Sequence, residues 1–240
     1  TEQLAETHRI APINPYASSK ASVERALAAA AWRGLRAASL RYFNAAGADA
    51  SAMIGEAHDP ETHLIPLAID AVLGLRPCLI IHGSDYATED GSCVRDYVHV
   101  SDLADAHLRA VRWLLTQSSR TGRHDAFNLG SGVGYSVKQV VDSVGRLAGQ
   151  QVPHVFGARR PGDSPRLVGA IAKAQEQKLR IWLRPENKAS TIAPGDIQGY
   201  FGRLAGHKPE GIIFGGSSNE VVGYSDEDVL KSTAAAIRDQ

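Results

Sequence analysis

The stretch that decides the fold is Asn14-Pro15-Tyr16-Ala17-Ser18-Ser19-Lys20, near the start of the chain. Asparagine caps helices well and proline suits the first helical position, so this stretch predicts a helix that begins at Pro15. The alanine-rich residues 21–32 continue that helix. Tyr16 and Lys20, four residues apart, then lie on one face. We expect the Lys20 ammonium to lower the pKa of Tyr16, which makes Tyr16 a candidate general base. A surface tyrosine beside a solvated lysine is the alternative.

Length and composition bound the class of protein. With 240 residues the chain forms one large domain or two small ones. Its 26 basic and 26 acidic residues give no reason to expect a nucleic acid or membrane partner. Cys78 and Cys93 stand in no metal-ligand spacing and predict reduced thiols in a cytoplasmic protein. Because the chain begins with Thr1 and no strand precedes its first helix, we expect a fragment of a longer protein.

Strand and helix patterns alternate after the first helix. We predict strands over 35–42, 78–83, 97–100 and 126–132, and helices over 64–75, 101–115 and 136–147. Residues 43–47 read as a loop, residues 48–63 as an exposed polar loop, and Ser101 as an N-cap. This order is typical of an α/β protein whose ligands bind at the carboxyl ends of its parallel strands.

Five stretches carry a resemblance to a known family: 12–20, 39–47, 61–66, 82–103 and 127–134. They resemble the extended short-chain dehydrogenase/reductases, also called NAD-dependent epimerase/dehydratases, and within them the UDP-glucose 4-epimerase family. The most specific stretch, 83–100, follows the pattern G-x-D-Y-x-T-x-D-G-x-x-x-R-D-Y-x-H-V. The resemblance covers about residues 3–177. It implies that 1–177 is the C-terminal part of a Rossmann-like, doubly wound epimerase, with the catalytic helix and the substrate-binding region.

The resemblance implies an isomerase that uses NAD and interconverts UDP-galactose and UDP-glucose through a 4-keto sugar. Tyr16 would take the proton from the sugar 4-hydroxyl while hydride passes to NAD, and the keto sugar would be reduced on its other face. Lys20 would hold the nicotinamide ribose and tune Tyr16. Tyr42 matches a residue that contacts the nicotinamide cofactor.

The same resemblance implies substrate-binding roles at four positions along the middle of the chain. Asn44 matches a residue that binds the sugar nucleotide. His63 and Leu64 lie in a segment that lines the uracil and the diphosphate, and His82 would stack against the uracil. A turn residue at Asn44 and a structural histidine at His63 remain alternatives.

Two arginine-bearing loops complete the implied substrate site. Arg95 and Arg160 match residues on the diphosphate, and Asp163 matches an acid that binds the ribose. A guanidinium can hold a diphosphate with two parallel hydrogen bonds, so two arginines converging on one diphosphate are expected. A salt bridge between Arg95 and Asp96 is the alternative.

The sequence departs from the family in two places. It contains no G-x-x-G-x-x-G motif, and Gly130-Ser131-Gly132 lacks the third glycine of a dinucleotide fingerprint. No residue among 1–15 matches the catalytic serine or threonine of the family. We therefore expect half of an active site and no turnover by this chain alone. The alternatives are a non-catalytic remnant that binds nucleotide sugars, and another NAD-dependent nucleotide-sugar dehydratase or decarboxylase.

Residues 178–240 follow no pattern of that family. Strands over 179–183 and 211–215 and helices over 196–205 and 225–239 predict a separate βαβα segment, a possible fusion. A homodimer is also an expectation of the resemblance.

Overall fold

The structure, a computed structural model, describes residues 3–48, 55–117 and 122–179. The strands and helices predicted for 178–240 lie outside the described residues, apart from positions 178 and 179. In chain order the elements are α1 (Pro15–Ala31), β1 (Arg36–Tyr42), β2 (Asn44–Ala46), α2 (Leu64–Val72), β3 (Leu79–His82), β4 (Val94–His99), α3 (Val100–Thr116), β5 (Arg123–Leu129), β6 (Gly134–Ser136), α4 (Val137–Ala148), β7 (His154–Gly157), β8 (Arg166–Leu167) and α5 (Ala172–Glu176).

Helix α1 begins where the sequence predicts. The side chain of Asn14 accepts a hydrogen bond of 2.7 Å from the Ala17 amide, and the proline follows as the first helical residue. Ala21 is the one residue of α1 that is buried. Trp32 is the C-cap residue of the helix, and Gly34 follows it with φ +95°. The helix therefore lies on the surface, with most of its side chains exposed.

Parallel pairing dominates the strands and confirms the α/β class. Strand β1 pairs with β5, β2 with β4, and β3 with β7, all in parallel. Strand β4 also pairs with β6 in antiparallel and with β8 in parallel. The loop expected over 43–47 is wrong, because Asn44–Ala46 form β2. Their ladder partners, Tyr97–His99, are far away in the sequence, and a local pattern cannot reveal such pairing.

Strand β4 and helix α3 meet without a connecting loop. The strand begins at Val94, earlier than predicted, because Arg95 and its neighbours pair with β6 and β8. The expected N-cap at Ser101 is wrong. The helix begins at Val100, and the His99 side chain accepts the Ser101 amide in the capping position. Ser136, predicted as the first residue of a helix, instead caps α4, within a reciprocal capping box with Gln139.

Two hydrophobic cores lie on either side of β4. Tyr97 packs into the first core, which is built mainly by α2, β3 and α4. The next residue, Val98, packs into the second core with Phe127 and Leu129 of β5 and with residues of α3. Successive side chains of a strand point to opposite faces, so β4 serves both cores. In the part of the chain that the structure describes, no helix is both long and apolar enough to span a membrane.

Candidate functional site

Tyr16 and Lys20 share the first turns of α1, as their spacing predicts. The Lys20 ammonium lies 5.3 Å from the centroid of the Tyr16 ring. Tyr16 is half-buried, whereas Lys20 is exposed. The expected lowering of the Tyr16 pKa is wrong for this structure, because burial of the phenol raises its pKa above the ordinary 10.0. The ammonium faces the ring rather than the hydroxyl, so it does little to stabilise a phenolate.

The carboxyl end of β1 carries two further candidates. Tyr42 ends the strand with 38% of its surface exposed, and Asn44 opens β2 as an exposed residue. A cavity of about 260 Å³ lies at this end of the strand. Its lining includes Tyr42, Phe43 and Asn128, together with residues from the segment 4–9. The strand edge predicted to bind ligands therefore has a concave surface beside it.

The two predicted arginine-bearing loops lie against each other. Arg95 donates to the Ser164 carbonyl at 2.8 Å and to the Asp163 carboxylate at 3.4 Å. The Asp163 amide in turn bonds to the Arg160 carbonyl at 3.2 Å. The salt bridge considered between Arg95 and Asp96 is absent among the described residues, because Asp96 points into a buried turn. Arg160 is exposed. The structure thus joins the backbone of its loop to Arg95 through Asp163.

His82 also lies beside this loop. It ends β3 opposite Gly157 of β7, and its Nδ1 is 3.2 Å from the Ala158 carbonyl. Residues 159 and 160 follow directly. His82, Arg95 and Asp163 consequently border one stretch of chain, 157–164.

Sequence reasoning missed Arg159 as a member of this neighbourhood. Its Nε donates to the Asp85 carboxylate at 2.7 Å, and its guanidinium lies 4.4 Å from the Tyr86 ring centroid. The ion pair and the ring anchor Arg159 to the turn that follows β3. The adjacent Arg160 takes no part in those contacts. The consecutive arginines at 159 and 160, together with the Asp85-Tyr86 pair, were the sequence signal for this contact.

Asp96 holds the glycine turn at 130–132. Its carboxylate accepts the Ser131 amide and hydroxyl, each at 2.7 Å, and the Gly132 amide at 3.1 Å. The Gly169 amide donates to the same carboxylate at 3.2 Å. Asp96 has no exposed surface. The glycine turn is therefore occupied by this side chain, in agreement with its poor match to a dinucleotide fingerprint.

His63 and Leu64 stand at the start of α2. His63 is the N-cap residue, and Leu64 packs against the first core. His63 Nδ1 contacts the carboxylates of Glu56 and Glu61, which raise the pKa of His63 to about 10. His58 lies against the same carboxylate of Glu56. Residues 55–63 form a loop, as expected, but these four side chains are only partly accessible rather than exposed. The spacing E-x-H-x-x-E-x-H was the signal that sequence reasoning missed.

Comparison with known proteins shows which proteins this chain resembles. The chain is 52% identical over 174 residues to a UDP-glucose 4-epimerase of Rhizobium leguminosarum bv. trifolii, covering 72% of this chain and 52% of that protein. The chain thus spans about half the length of the curated relatives it matches. A crystal structure of UDP-glucose 4-epimerase from Brucella ovis in complex with NAD superimposes with a TM-score of 0.67 at 48% identity, covering 73% of this chain and 53% of that one.

A second solved structure agrees at lower identity. UDP-glucose 4-epimerase from Bifidobacterium longum, in complex with NAD+ and UDP, is 31% identical with a TM-score of 0.67, covering 73% of this chain and 52% of that one. The sequence profile of the NAD dependent epimerase/dehydratase family matches residues 1–130, more than half of the chain. The chain belongs to the NAD dependent epimerase/dehydratase family.

Proposed function

We propose that these residues form the base-bearing and substrate-binding part of an enzyme that interconverts UDP-galactose and UDP-glucose through a 4-keto sugar. The observation that carries the proposal is the Tyr16–Lys20 pair, with the ammonium 5.3 Å from the ring centroid at the start of α1. The relatives named UDP-glucose 4-epimerase support this substrate pair.

Tyr16 is proposed to take the proton of the sugar 4-hydroxyl and later to return it. Its pKa is raised in this structure, so proton removal requires a nearby positive charge. Lys20 is exposed and can swing from the ring face toward the hydroxyl or toward a ribose. NAD, when bound, supplies the chemistry of hydride acceptance and return at C4.

The residues described here fit the nicotinamide end of that cofactor. Tyr42 is exposed beside a cavity of about 260 Å³, and its ring can contact a planar group. The sequence has no G-x-x-G-x-x-G stretch, so we assign none of its residues to the pyrophosphate. We therefore assign contact with the nicotinamide to Tyr42 and contact with its ribose to Lys20. No other part of the cofactor is assigned to a residue.

The nucleotide sugar is proposed to bind along the loops around Arg95. Arg95 and Arg160 would hold the diphosphate and Asp163 the ribose, and the contact between the Arg95 and Asp163 side chains supports their shared site. His82 would face the uracil from the end of β3. Asn44, His63 and Leu64 would complete the site. Binding energy at these positions would fix the sugar C4 near Tyr16.

The test uses a chimera in which the N-terminal half of the Rhizobium leguminosarum relative precedes residue 1. UDP-galactose is supplied with excess NAD, and UDP-glucose is read out with UDP-glucose dehydrogenase. We expect turnover that falls by roughly 10²–10⁴-fold in Tyr16→Phe, the range for loss of a general base. No turnover in a folded chimera, while the parent relative is active, would overturn the proposal. A product other than UDP-glucose would identify a dehydratase or decarboxylase instead.

Binding by the 240-residue chain is tested separately, with saturation-transfer NMR and calorimetry. We expect UDP-galactose to bind and Arg95→Lys to weaken it about tenfold, because lysine lacks the two-pronged guanidinium. Arg146→Lys, on the surface of α4, is the matched control and should leave the affinity unchanged. Equal affinities in all three proteins would remove Arg95 from the site.

A second candidate function is nucleotide-sugar binding without turnover. The raised pKa of Tyr16 favours it for the chain taken alone, since a protonated phenol cannot act as a base. The two experiments separate the candidates. Binding by the chain with no activity in the chimera would select the second.

We also propose a setting for the protein: galactose metabolism in the cytoplasm, as a homodimer. The free thiols of Cys78 and Cys93 support a reducing compartment. Trp32, 94% exposed, and Leu115, 68% exposed, offer apolar surface for a second copy at the ends of α1 and α3. Light scattering of the wild type and of Trp32→Gln measures whether this surface joins two chains.

A further inference from the structure

Four potential metal ligands converge in the segment before α2. We name them the Glu/His cluster: Glu56, His58, Glu61 and His63. Each offers one ligand atom, and those atoms all lie within 4.8 Å of one another. All four residues are partly buried, and the two imidazole rings are 4.8 Å apart between centroids, edge to face. The rings are therefore inclined to each other rather than stacked face to face.

The hydrogen bonds of this cluster satisfy Glu61 but, within the described part of the chain, leave a ring nitrogen without a partner. His63 Nδ1 is 2.8 Å from Glu61 Oε1 and also contacts Glu56 Oε1. One ring nitrogen carries at most one proton, so it can donate to only one of these two carboxylates. Glu61 Oε1 also accepts the backbone amides of Thr62 and His63, at 2.6 and 2.7 Å. Glu56 Oε1 is shared once more, with His58 Nδ1 at 2.9 Å. Among the described residues, the other nitrogen of His63 is buried without a hydrogen-bond partner. The cluster therefore keeps a ring nitrogen whose capacity to bind a ligand is not used by hydrogen bonds from the described residues.

We propose that the Glu/His cluster binds one Zn²⁺ ion. Two carboxylates and two neutral imidazoles carry a charge of −2, which a divalent cation balances and a single proton does not. Imidazole nitrogen and carboxylate oxygen are both ordinary zinc ligands, whereas Mg²⁺ and Ca²⁺ prefer oxygen alone. A tetrahedral ion with bonds of about 2.0–2.1 Å separates its ligands by about 3.3 Å. Side-chain rotations would have to widen the 2.8 and 2.9 Å contacts and close the wider pairs, which lie within 4.8 Å.

The site is structural in kind. Four protein ligands fill a tetrahedral shell and leave no position for a substrate or a water. His63 would then have the structural role that is its alternative, in place of a contact with the nucleotide sugar. His63 is the N-cap residue of α2, so the ion fixes the segment 56–62 against the start of that helix. Because the ion binds the folded chain and not the unfolded one, it raises the thermal stability of the protein.

The experiment is a titration of the whole chain with zinc chloride, after dialysis against a chelator. We expect one equivalent by calorimetry and by elemental analysis, and a rise in Tm. Co²⁺ in place of zinc should give the intense visible bands of a tetrahedral site. Magnesium chloride is the control and should bind with neither heat nor a shift in Tm.

Variants assign the ligands. His58→Ala and His63→Ala should each weaken zinc binding by more than about tenfold, since even the loss of an outer-shell partner costs that much. His154→Ala, on β7, is the matched control and should bind as the wild type does. Zinc uptake that is equal in all four proteins, or a wild type that takes up none and gives no tetrahedral Co²⁺ spectrum, would overturn the proposal. The wild-type spectrum decides even if a variant fails to fold.

Discussion

The segments 14–20 and 83–100 both follow a family pattern, yet the structure uses them in different ways. In segment 14–20, the side chains of the pattern stay near the surface. Tyr16 is half-buried, Lys20 is exposed, and the one fixed contact between them is the ammonium over the ring. This segment needs little from the rest of the chain beyond a cap and one buried alanine.

In segment 83–100, by contrast, most side chains of the pattern build the turn itself. Thr88 donates to the Ser92 carbonyl at 2.7 Å, and the Asp90 carboxylate accepts the Ser92 amide at 2.9 Å. Asp96 closes the glycine turn at 130–132. Arg95 is the one residue of the pattern with a proposed ligand. The side chains of the longer motif thus stabilise the fold, whereas those of the shorter one make few contacts with the rest of the chain.

The largest expected effect that tests this contrast is at Asp96. Asp96→Ala leaves the amides of Ser131, Gly132 and Gly169 without their buried acceptor, and should cost roughly 3–5 kcal/mol of unfolding free energy. Urea denaturation followed by circular dichroism measures it. Asp85→Ala, at an exposed position of the same segment, should leave the midpoint nearly unchanged. Equal midpoints for the two variants would contradict a folding role for the pattern.

A second test compares one glycine of segment 83–100 with one glycine that follows α1. Gly91 has φ +77°, and a Cβ there would lie 2.1 Å from the Ser84 carbonyl oxygen, so Gly91→Ala should cost roughly 2–3 kcal/mol. Gly34, after α1, has φ +95° but open space around its Cα. Gly34→Ala should cost only about 1 kcal/mol, for the left-handed backbone alone. The difference between their unfolding midpoints is the measurement, and similar values would argue against close packing of the turn.

A smaller effect is expected at the cap of α1. Asn14→Ala removes the acceptor of the Ala17 amide and should cost about 1 kcal/mol. Ser18→Ala, at an exposed position inside the helix, is the control and should cost nothing. The same denaturation series measures both. A loss in Asn14→Ala as large as that in Asp96→Ala would mean that α1 is as deeply integrated as the second motif.

The smallest expected effect is a change of slope with pH. Burial opposes ionisation of Asp90, but hydrogen bonds from Ser136 and Ser92 outweigh it, and the pKa of Asp90 falls below 3.8. A lowered folded-state pKa adds stability above the unfolded pKa, and that stability is lost as pH falls through the folded value. Unfolding free energy should therefore drop below about pH 4. Asp90→Asn should flatten this drop, and an unchanged slope would exclude Asp90 as its source.

Local patterns predicted much of this fold. The helix from Pro15, the strand ending at Tyr42 and the helix starting near Ser136 depend on neighbours within a few residues, and the structure confirms them. Strand β2 was missed, because its formation depends on pairing with Tyr97–His99. The segments β6, β7 and β8 were missed as well, since two- to four-residue strands carry too little periodicity.

The site was predicted in part. Spacing placed Tyr16 and Lys20 on one face, but it could not show that the ammonium lies over the ring, and so the sign of the Tyr16 pKa shift was wrong. The loops of Arg95 and Asp163 do meet. The ligand roles of these residues stay predictions, because contact between loops does not identify what binds there. Convergence of the Glu/His cluster depended on how residues 56–63 turn, which spacing alone does not define.

The position of strand β4 between the two cores has a consequence for how the chain unfolds. Because Tyr97 and Val98 belong to different cores, loss of either core would strip one face of the strand and expose it to water. Neither half can then melt while the other keeps its full set of contacts. The cores on the two sides of β4 should behave as one cooperative unit, whose calorimetric and van't Hoff enthalpies agree. Because β4 contributes to both cores, the protein is also poorly suited to division into independent modules at this strand.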